Sequence, residues 1–207
     1  MGSDIYGGIE YRHPGAGSQW YEGETWLTAI SLWPLHDEAD YAAFACLFGV
    51  RNYAGFAPLA AARGLPVDVS AGLRAELERP VAVGDMDGAS WVSWAELAAL
   101  DPSATPEHYV GRLTWSSKSL PSRLTRHMVP GRWPAEVSEA VGAPPADWYP
   151  GVDRMEWEVG DLAVRYESLR IATVLGPDLH WAHVFAVMRA LAGRFGDDGV
   201  RLVVAFD

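Results

Sequence analysis

The chain has 207 residues, of which 49% are hydrophobic and 21% are charged, and its formal net charge is −11. This size allows one globular domain with a hydrophobic core. The negative charge argues against non-specific nucleic-acid binding, which needs clustered Lys and Arg. The sequence shows no apolar run that could span a bilayer and no signal peptide, so it predicts a cytoplasmic protein without a membrane partner.

The first fifty residues predict a hairpin followed by a helix. Residues 4–12 alternate with a period of two, which is typical of a strand, and residues 20–34 predict a second strand that pairs with the first. The next segment predicts a helix over 37–49, with Asp37 as its N-cap and Gly49 at its C-terminal end.

The next fifty residues predict short elements joined by loops. A short helix is expected over 70–78 after a Ser cap, and a short strand over 80–83. Residues 84–92 are expected to form a loop that leads into another helix. Ser93 and Glu96 have the spacing of a capping box at the start of that helix.

The middle of the chain is rich in proline. We expect residues 101–150 to form an irregular insertion or lid, with short helices over 106–112 and 134–141. Residues 155–159 alternate as a strand does.

The C-terminal end predicts two strong elements. A continuous apolar stripe predicts a helix over 178–195, ended by Gly196, and residues 200–206 predict a buried central strand. The fold class is therefore α+β: a single domain over 1–207, whose mixed, mainly antiparallel sheet includes the first and last strands. The helices over 37–49 and 178–195 are expected to pack on this sheet.

Five features occur in an order that resembles one protein family. They are the N-terminal strand with its Met1-Gly2-Ser3-Asp4-Ile5 start, D-Y-x-x-F-x-x-L-F-G-V-R-N from residue 40, R-G-L-P-x-D-V-S from residue 63, G-D-x-x-x-x-S-W from residue 84, and the apolar strand that ends in Phe206-Asp207. The chain resembles a family of small uncharacterised proteins encoded by bacteriophages and actinobacteria. The resemblance implies a shared fold and a shared site, with no established activity.

Two segments depart from the pattern of that family. Its members begin with Cys-Asp-Ile-His, where this chain has Ser3-Asp4-Ile5-Tyr6, and they carry histidines where this chain has Asp87 and Ala89. Asp with several His would form a metal site in those relatives. Because the histidines are absent here, we predict neither a metal nor another cofactor for this chain.

Two arginines flank a glycine-containing loop, which makes this loop a candidate anion site. Arg51 is followed by Asn52 and Tyr53, and Arg63 lies at the other end of the loop. The guanidinium fork suits phosphate or carboxylate, and Tyr53 or Phe56 would stack on a base. The alternative is that each arginine holds the loop in place by pairing with a carboxylate or a backbone carbonyl.

Several carboxylates would converge if the first strand lay beside the 84–92 segment. They are Asp4, Glu10, Asp85 and Asp87, and we include Asp4, Tyr6, Asp85 and Asp87 in the predicted ligand-binding set. Such a group would suit a divalent cation or acid–base chemistry. The alternative is that these side chains are simply solvated.

These observations leave two hypotheses for function, and neither decides whether the protein is an enzyme. The first is that the protein binds a small anionic nucleotide-like ligand at the loop between Arg51 and Arg63, with or without catalysing a reaction on it. The second is a non-catalytic acidic interaction protein, of the kind that phages direct at host proteins, which would occlude a partner protein.

Overall fold

The computed structural model describes residues 4–82, 88–108, 111–129, 133–142, 153–177 and 179–207, with no side-chain detail for 78–82 and 121–129. These residues form two compact units. The first unit comprises Met1–Asn52, Ala57–Asp101 and Leu175–Asp207, and the second comprises Tyr53–Phe56 and Pro102–Val174.

Eight strands and six α-helices occur in the described residues. The strands are β1 (Ile5–Arg12), β2 (Trp26–Ser31), β3 (Gly88–Ser93), β4 (Gly111–Ser117), β5 (Leu120–Val129), β6 (Arg154–Val159), β7 (Leu162–Ser168) and β8 (Val200–Phe206). The helices are α1 (Tyr41–Phe48), α2 (Ala71–Ala82), α3 (Trp94–Ala98), α4 (Ala135–Val141), α5 (Ile171–Leu175) and α6 (Ala182–Phe195).

The sheet of the first unit has the strand order β2-β1-β8-β3, and every pairing in it is antiparallel. The predicted α+β class and the shared sheet of the first and last strands are confirmed, as is the β1–β2 hairpin. All seven residues of β8 are buried, as expected for a central strand covered on both faces.

A close backbone approach explains one of the glycines in β1. Gly7 has φ of +148°, and a Cβ atom there would lie 2.1 Å from the carbonyl oxygen of Val203 in β8. A side chain cannot be accommodated at that distance, so glycine is required for this strand pairing.

The two faces of this sheet are covered by different elements. On one face, Phe206 of β8 packs against Phe44 of α1, with ring centroids 5.4 Å apart, and Tyr11 stacks on Phe195 of α6. On the other face, Val203 and Ala205 belong to one buried cluster with Val69, Leu73 and Leu77, the last two from α2.

Helix α1 begins later than the sequence predicts. Its N-cap is Asp40 and not Asp37, because the Oδ1 atom of Asp40 accepts the N–H of Ala43 at 3.3 Å. Several acidic residues precede the helix, and only the one adjacent to its first turn can reach these amides. The predicted end is confirmed, since Gly49 is left-handed with φ of 75°.

The segment after α2 differs most from the prediction in the first unit. The predicted strand over 80–83 is wrong at 80–82, which continue α2, and the predicted loop over 84–92 is wrong from Gly88 onward, where β3 begins. Pairing with β8 includes Gly88 and Ala89 in the strand, although these two residues have little intrinsic strand preference. The capping box at Ser93 and Glu96 is confirmed.

Helix α6 confirms most of the predicted C-terminal helix. Val184, Met188 and Ala192 form its buried stripe, whereas Phe185, predicted as part of that stripe, is only half-buried. None of the described helices is both long enough and apolar enough to cross a membrane.

The second unit contains a four-stranded antiparallel sheet, with strand order β5-β4-β7-β6. The prediction of an irregular segment over 101–150 is therefore wrong for β4 and β5. The helix predicted over 106–112 is wrong at the described residues 106–108 and 111–112. The helix over 134–141 is confirmed as α4. Pro121 lies in β5, an edge strand, where a missing N–H is tolerated. Proline content is therefore a poor predictor of secondary structure in this segment.

Truncation of Met188 should destabilise the first unit. Met188 is 0% exposed, so Met188→Ala is expected to lower the free energy of unfolding by roughly 2–5 kcal/mol through lost burial and a residual cavity. Urea unfolding measures this loss. The exposed neighbour His183→Ala is the matched control and should change stability by less than about 0.5 kcal/mol. Equal effects of the two changes would contradict the assignment of the buried face.

Candidate functional site

A cleft of about 870 Å³ lies on the α2 face of the first sheet. We call it the tryptophan cleft, because Trp26 of β2 and Trp91 of β3 both line it. Its other lining residues are Arg63, Leu65, Pro66, Val67, Asp68, Ser93, Ala95, Glu96, Ala99, Asp198 and Arg201. The cleft therefore draws on strands, helix α3 and the loop before α2.

A buried ion pair lies at the inner wall of this cleft. The Nε atom of Arg201 donates to Oε2 of Glu10 at 2.8 Å, and the two side chains are 5% and 0% exposed. The pair forms because Arg201 and Glu10 are opposite each other on β8 and β1. Glu10, predicted to converge with Asp4, Asp85 and Asp87, is instead the buried partner of this arginine.

The rest of the Arg201 guanidinium is held by the loop before α2 and by an indole ring. It donates to Oδ1 of Asp68 at 2.8 Å and to the Asp68 carbonyl at 3.1 Å, and it lies 3.9 Å from the ring centroid of Trp26. The Trp26 N–H donates to Oδ2 of Asp68 at 2.9 Å. Burial opposes ionisation of Asp68, but Arg201 more than offsets it, so the pKa of Asp68 lies below its usual value.

Glu10 also positions the start of α2. Its Oε1 atom accepts the N–H of Ser70 at 2.7 Å, while the Ser70 hydroxyl bonds to Thr28 of β2 at 2.7 Å. The Ser70 carbonyl accepts the first helical N–H, from Arg74, at 2.9 Å. One carboxylate thus links the sheet to the N-terminal end of the helix.

A second arginine lines the outer part of the cleft. The two terminal nitrogens of Arg63 donate to the two oxygens of Glu96 at 3.1 and 2.7 Å, and also to the carbonyls of Trp91 and Leu59. The guanidinium lies 5.0 Å from the Trp91 ring centroid. The hydrogen bonds from Arg63, with help from Ser93, lower the pKa of Glu96 to about 2.

The charges around the cleft add up to a negative value. Two arginines, Arg63 and Arg201, line it together with the three carboxylates of Asp68, Glu96 and Asp198. Asp198 is exposed and forms no hydrogen bond or ion pair with the part of the chain that the structure describes. The positive charges of Arg63 and Arg201 are balanced by carboxylates, whereas the Asp198 carboxylate has no partner among the described residues.

Only some of the residues predicted to form the site around Arg51 and Arg63 line the tryptophan cleft. Arg63 lines the tryptophan cleft, whereas Arg51 and Asn52 are not among its lining residues. The Arg51 guanidinium lies 5.0 Å from the ring centroid of Tyr41. Arg63 thus behaves as the alternative predicts, pairing with a carboxylate and with backbone carbonyls.

The aromatic residues predicted to stack on a base lie in the second unit. Tyr53 is 72% exposed there, whereas Phe56 is only 5% exposed. A ring as buried as Phe56 presents no free face to a ligand, whereas the Tyr53 ring is exposed, so stacking by Tyr53 stays a prediction.

Asp4 and Tyr6 line a different cavity of the first unit, with a volume of about 250 Å³. The backbone N–H of Asp4 donates to Oδ1 of Asp207 at 2.6 Å, and the Tyr6 hydroxyl lies 3.5 Å from Oδ2 of the same residue. Asp85 and Asp87 lie outside the described residues.

The described residues do not provide a metal site or a reactive thiol. No group of three or more His, Cys, Asp or Glu side chains within the described ranges is placed to hold a metal ion. Cys46 is buried, and burial raises the pKa of its thiol to about 12, so it is protonated near neutral pH.

Sequence reasoning missed Arg201, Asp68 and Trp26. One signal was present: Arg201 is the only charged residue in the apolar run over 200–206. A charge in a strand buried on both faces requires a buried partner. Its partners are 191 and 133 residues away in the chain, so no local pattern identifies them.

Removal of Arg201 alone should be more damaging than removal of the whole ion pair. Arg201→Met leaves the Glu10 carboxylate buried and unpaired, and we expect a loss of about 3–5 kcal/mol in the free energy of unfolding. The double variant Glu10→Gln/Arg201→Met keeps an acceptor for Ser70 and should lose less. Urea unfolding of the three proteins tests this, and a double variant as unstable as Arg201→Met would contradict it.

The Arg63–Glu96 pair should give a defined acid sensitivity. Because the pKa of Glu96 falls from 4.5 to about 2, its stabilisation is complete above pH 4.5 and is lost as the pH drops toward 2. Glu96→Gln should therefore cost about 1 kcal/mol at pH 6, a value reduced by partial exposure of the pair. In urea titrations, the difference in the free energy of unfolding between Glu96→Gln and the unaltered protein should shrink below pH 4.5. Glu139→Gln on α4 is the control.

Known proteins provide no counterpart for this site. A scan against protein-family models finds no match to the chain, and searches of curated proteins and of solved structures find none either. The resemblance to the phage- and actinobacteria-encoded family stays a prediction, and function is argued from the side chains of the cleft.

Proposed function

We propose that the protein binds a small planar heterocycle, uncharged or positively charged, in the tryptophan cleft. The volume of about 870 Å³ lies within the range of roughly 300–1,000 Å³ that is typical of small-molecule sites. Apolar and aromatic side chains form much of its lining, with a few polar groups between them. This combination is the usual composition of a site for a flat, mainly apolar ligand.

The charge balance of the cleft disfavours the anionic nucleotide-like ligand that the sequence suggests. Four of the five N–H groups of Arg63 are bonded to Glu96, Trp91 and Leu59, so its fork is occupied. A phosphate group would approach Asp198 and Glu96, while the charges of Arg63 and Arg201 are already balanced by carboxylates. The base of a nucleotide therefore suits the cleft better than its phosphate.

The observation that supports a heterocycle most directly is the mixture of unused donors and acceptors beside the indole rings. Arg201 has three of its five N–H groups bonded to described residues, which leaves two donors. Asp198 offers a carboxylate acceptor. A nucleobase-like ring carries both carbonyl acceptors and N–H donors, and it also has faces that pack against Trp91.

Thermal shift and calorimetric titration with nucleosides would test this proposal. We expect at least one of adenosine, guanosine, cytidine and uridine to raise the melting temperature, and its 5′-monophosphate to bind more weakly. Asp198→Asn and Trp91→Leu should each lower the affinity of that nucleoside. Asp197→Asn, at an exposed neighbour that does not line the cleft, is the matched control. Tighter binding of the monophosphate would refute the charge argument.

The acidic interaction protein remains a second candidate, because a separate surface supports it. Among the described residues, the cavity that Asp4 and Tyr6 line has four carboxylates and no Lys or Arg in its lining. This surface attracts a positively charged partner, whereas the tryptophan cleft has most of its charges paired internally.

A further inference from the structure

The second cavity is a groove beside the first strand, and we call it the acidic groove. It is lined by residues of β1, by the end of β2 and the turn that follows, and by Glu76 of α2. Its volume of about 250 Å³ is smaller than the roughly 300–1,000 Å³ of typical small-molecule sites. This space suits one long side chain better than a whole metabolite.

Four carboxylates line the acidic groove, and most of them are uncompensated. Asp4, Asp37 and Glu76 are exposed and form no side-chain hydrogen bond or ion pair with the described residues. The fourth, Glu38, lies 3.2 Å from Nε2 of His180. Within the described part of the chain, no cationic side chain lines this groove. Its potential therefore favours a positive ligand.

An unsatisfied histidine lies at the base of the acidic groove. His36 lines the groove but is only 5% exposed, and its Nε2 atom has no hydrogen-bond partner. A buried polar atom without a partner costs free energy that a ligand group can recover. Burial lowers the pKa of His36 against the field of Asp40 and the nearby backbone of Glu38 and His180. The neutral imidazole can then accept a hydrogen bond from an N–H group.

An exposed aromatic ring completes the groove. Trp33 is 76% exposed and lines the same cavity as Asp37 and His36. An indole face attracts a guanidinium or ammonium group, and exposed tryptophans are frequent at protein interfaces. The carboxylates are not grouped for a metal ion, since no metal-holding cluster occurs among the described residues. An organic cation fits this arrangement better than a metal.

We infer that the acidic groove is a docking site for an arginine or lysine side chain on a basic segment of a partner protein. The head group of that side chain pairs with Asp4, Asp37 and Glu76, an N–H group reaches Nε2 of His36, and Trp33 packs against the neighbouring part of the segment. The charge complementarity and the single-side-chain volume support a peptide as the occupant. This site is independent of the tryptophan cleft.

Titration with acetylated and amidated tri-arginine, followed by NMR at the indole N–H of Trp33, would test the inference. A Trp33→Phe variant assigns the signal. We expect a saturable shift of this signal that weakens as salt is added. Asp37→Asn/Glu76→Gln should weaken binding about tenfold, because two charges that face the ligand are removed without change to buried residues. Tri-lysine should bind as well, and tri-glutamate should not.

The controls separate docking from general attraction to an acidic protein. Glu22→Gln/Glu139→Gln makes the same change in net charge at exposed positions that do not line the groove, and it should alter the affinity less than twofold. An equal loss in this control, or an unmoved Trp33 signal, would overturn the inference. Spermidine or MgCl₂ producing the same shift at the same concentration would also overturn it, in favour of a free polyamine or a metal ion.

Discussion

The ion pair between Glu10 and Arg201 is the interaction on which the sheet of the first unit depends. It joins residues 191 positions apart, on the strands nearest to the two ends of the chain. A shift of one residue in the β1–β8 register would turn one of these charges to the opposite face, away from its partner. An uncompensated buried charge costs several kcal/mol, so the ion pair makes the observed β1–β8 register much more stable than registers shifted by one residue. Because Glu10 also holds the N–H of Ser70, the same contact positions α2.

Local signals in the sequence predict the parts of the fold that local physics determines. The capping box at Ser93, the left-handed Gly49, the alternation in β1 and the apolar run of β8 all depend on residues close together in the chain. Strand β3 contains Gly and Ala and becomes a strand only through pairing with β8. In the second unit, strands β4 and β5 lie in the proline-rich stretch that is predicted to be irregular, although an edge strand such as β5 tolerates proline.

The candidate site was less predictable than the fold, because charge pairing is a property of distant residues. Arg63 has the residue type and the loop position of an anion-binding arginine, and the sequence shows nothing of Glu96, 33 residues away, which occupies its fork. Arg201 lies inside an apolar run, where periodicity analysis treats it as an exception and not as a site. Arg201 is recognisable only because burying an unpaired charge costs free energy, so its guanidinium needs a carboxylate partner elsewhere in the chain.

The contrast between the two cavities shows how paired and unpaired charges should be interpreted. In the tryptophan cleft the arginines are matched to carboxylates, so a ligand gains from indole faces and single hydrogen bonds more than from net charge. In the acidic groove the carboxylates of Asp4, Asp37 and Glu76 have no cation beside them among the described residues, so the groove keeps a negative charge. Paired charges hold the side chains of a site in position, whereas unpaired charges favour the binding of an oppositely charged partner. A chain with net charge −11 can therefore contain one cavity whose charges are mostly paired and another whose carboxylates lack a cationic partner among the described residues.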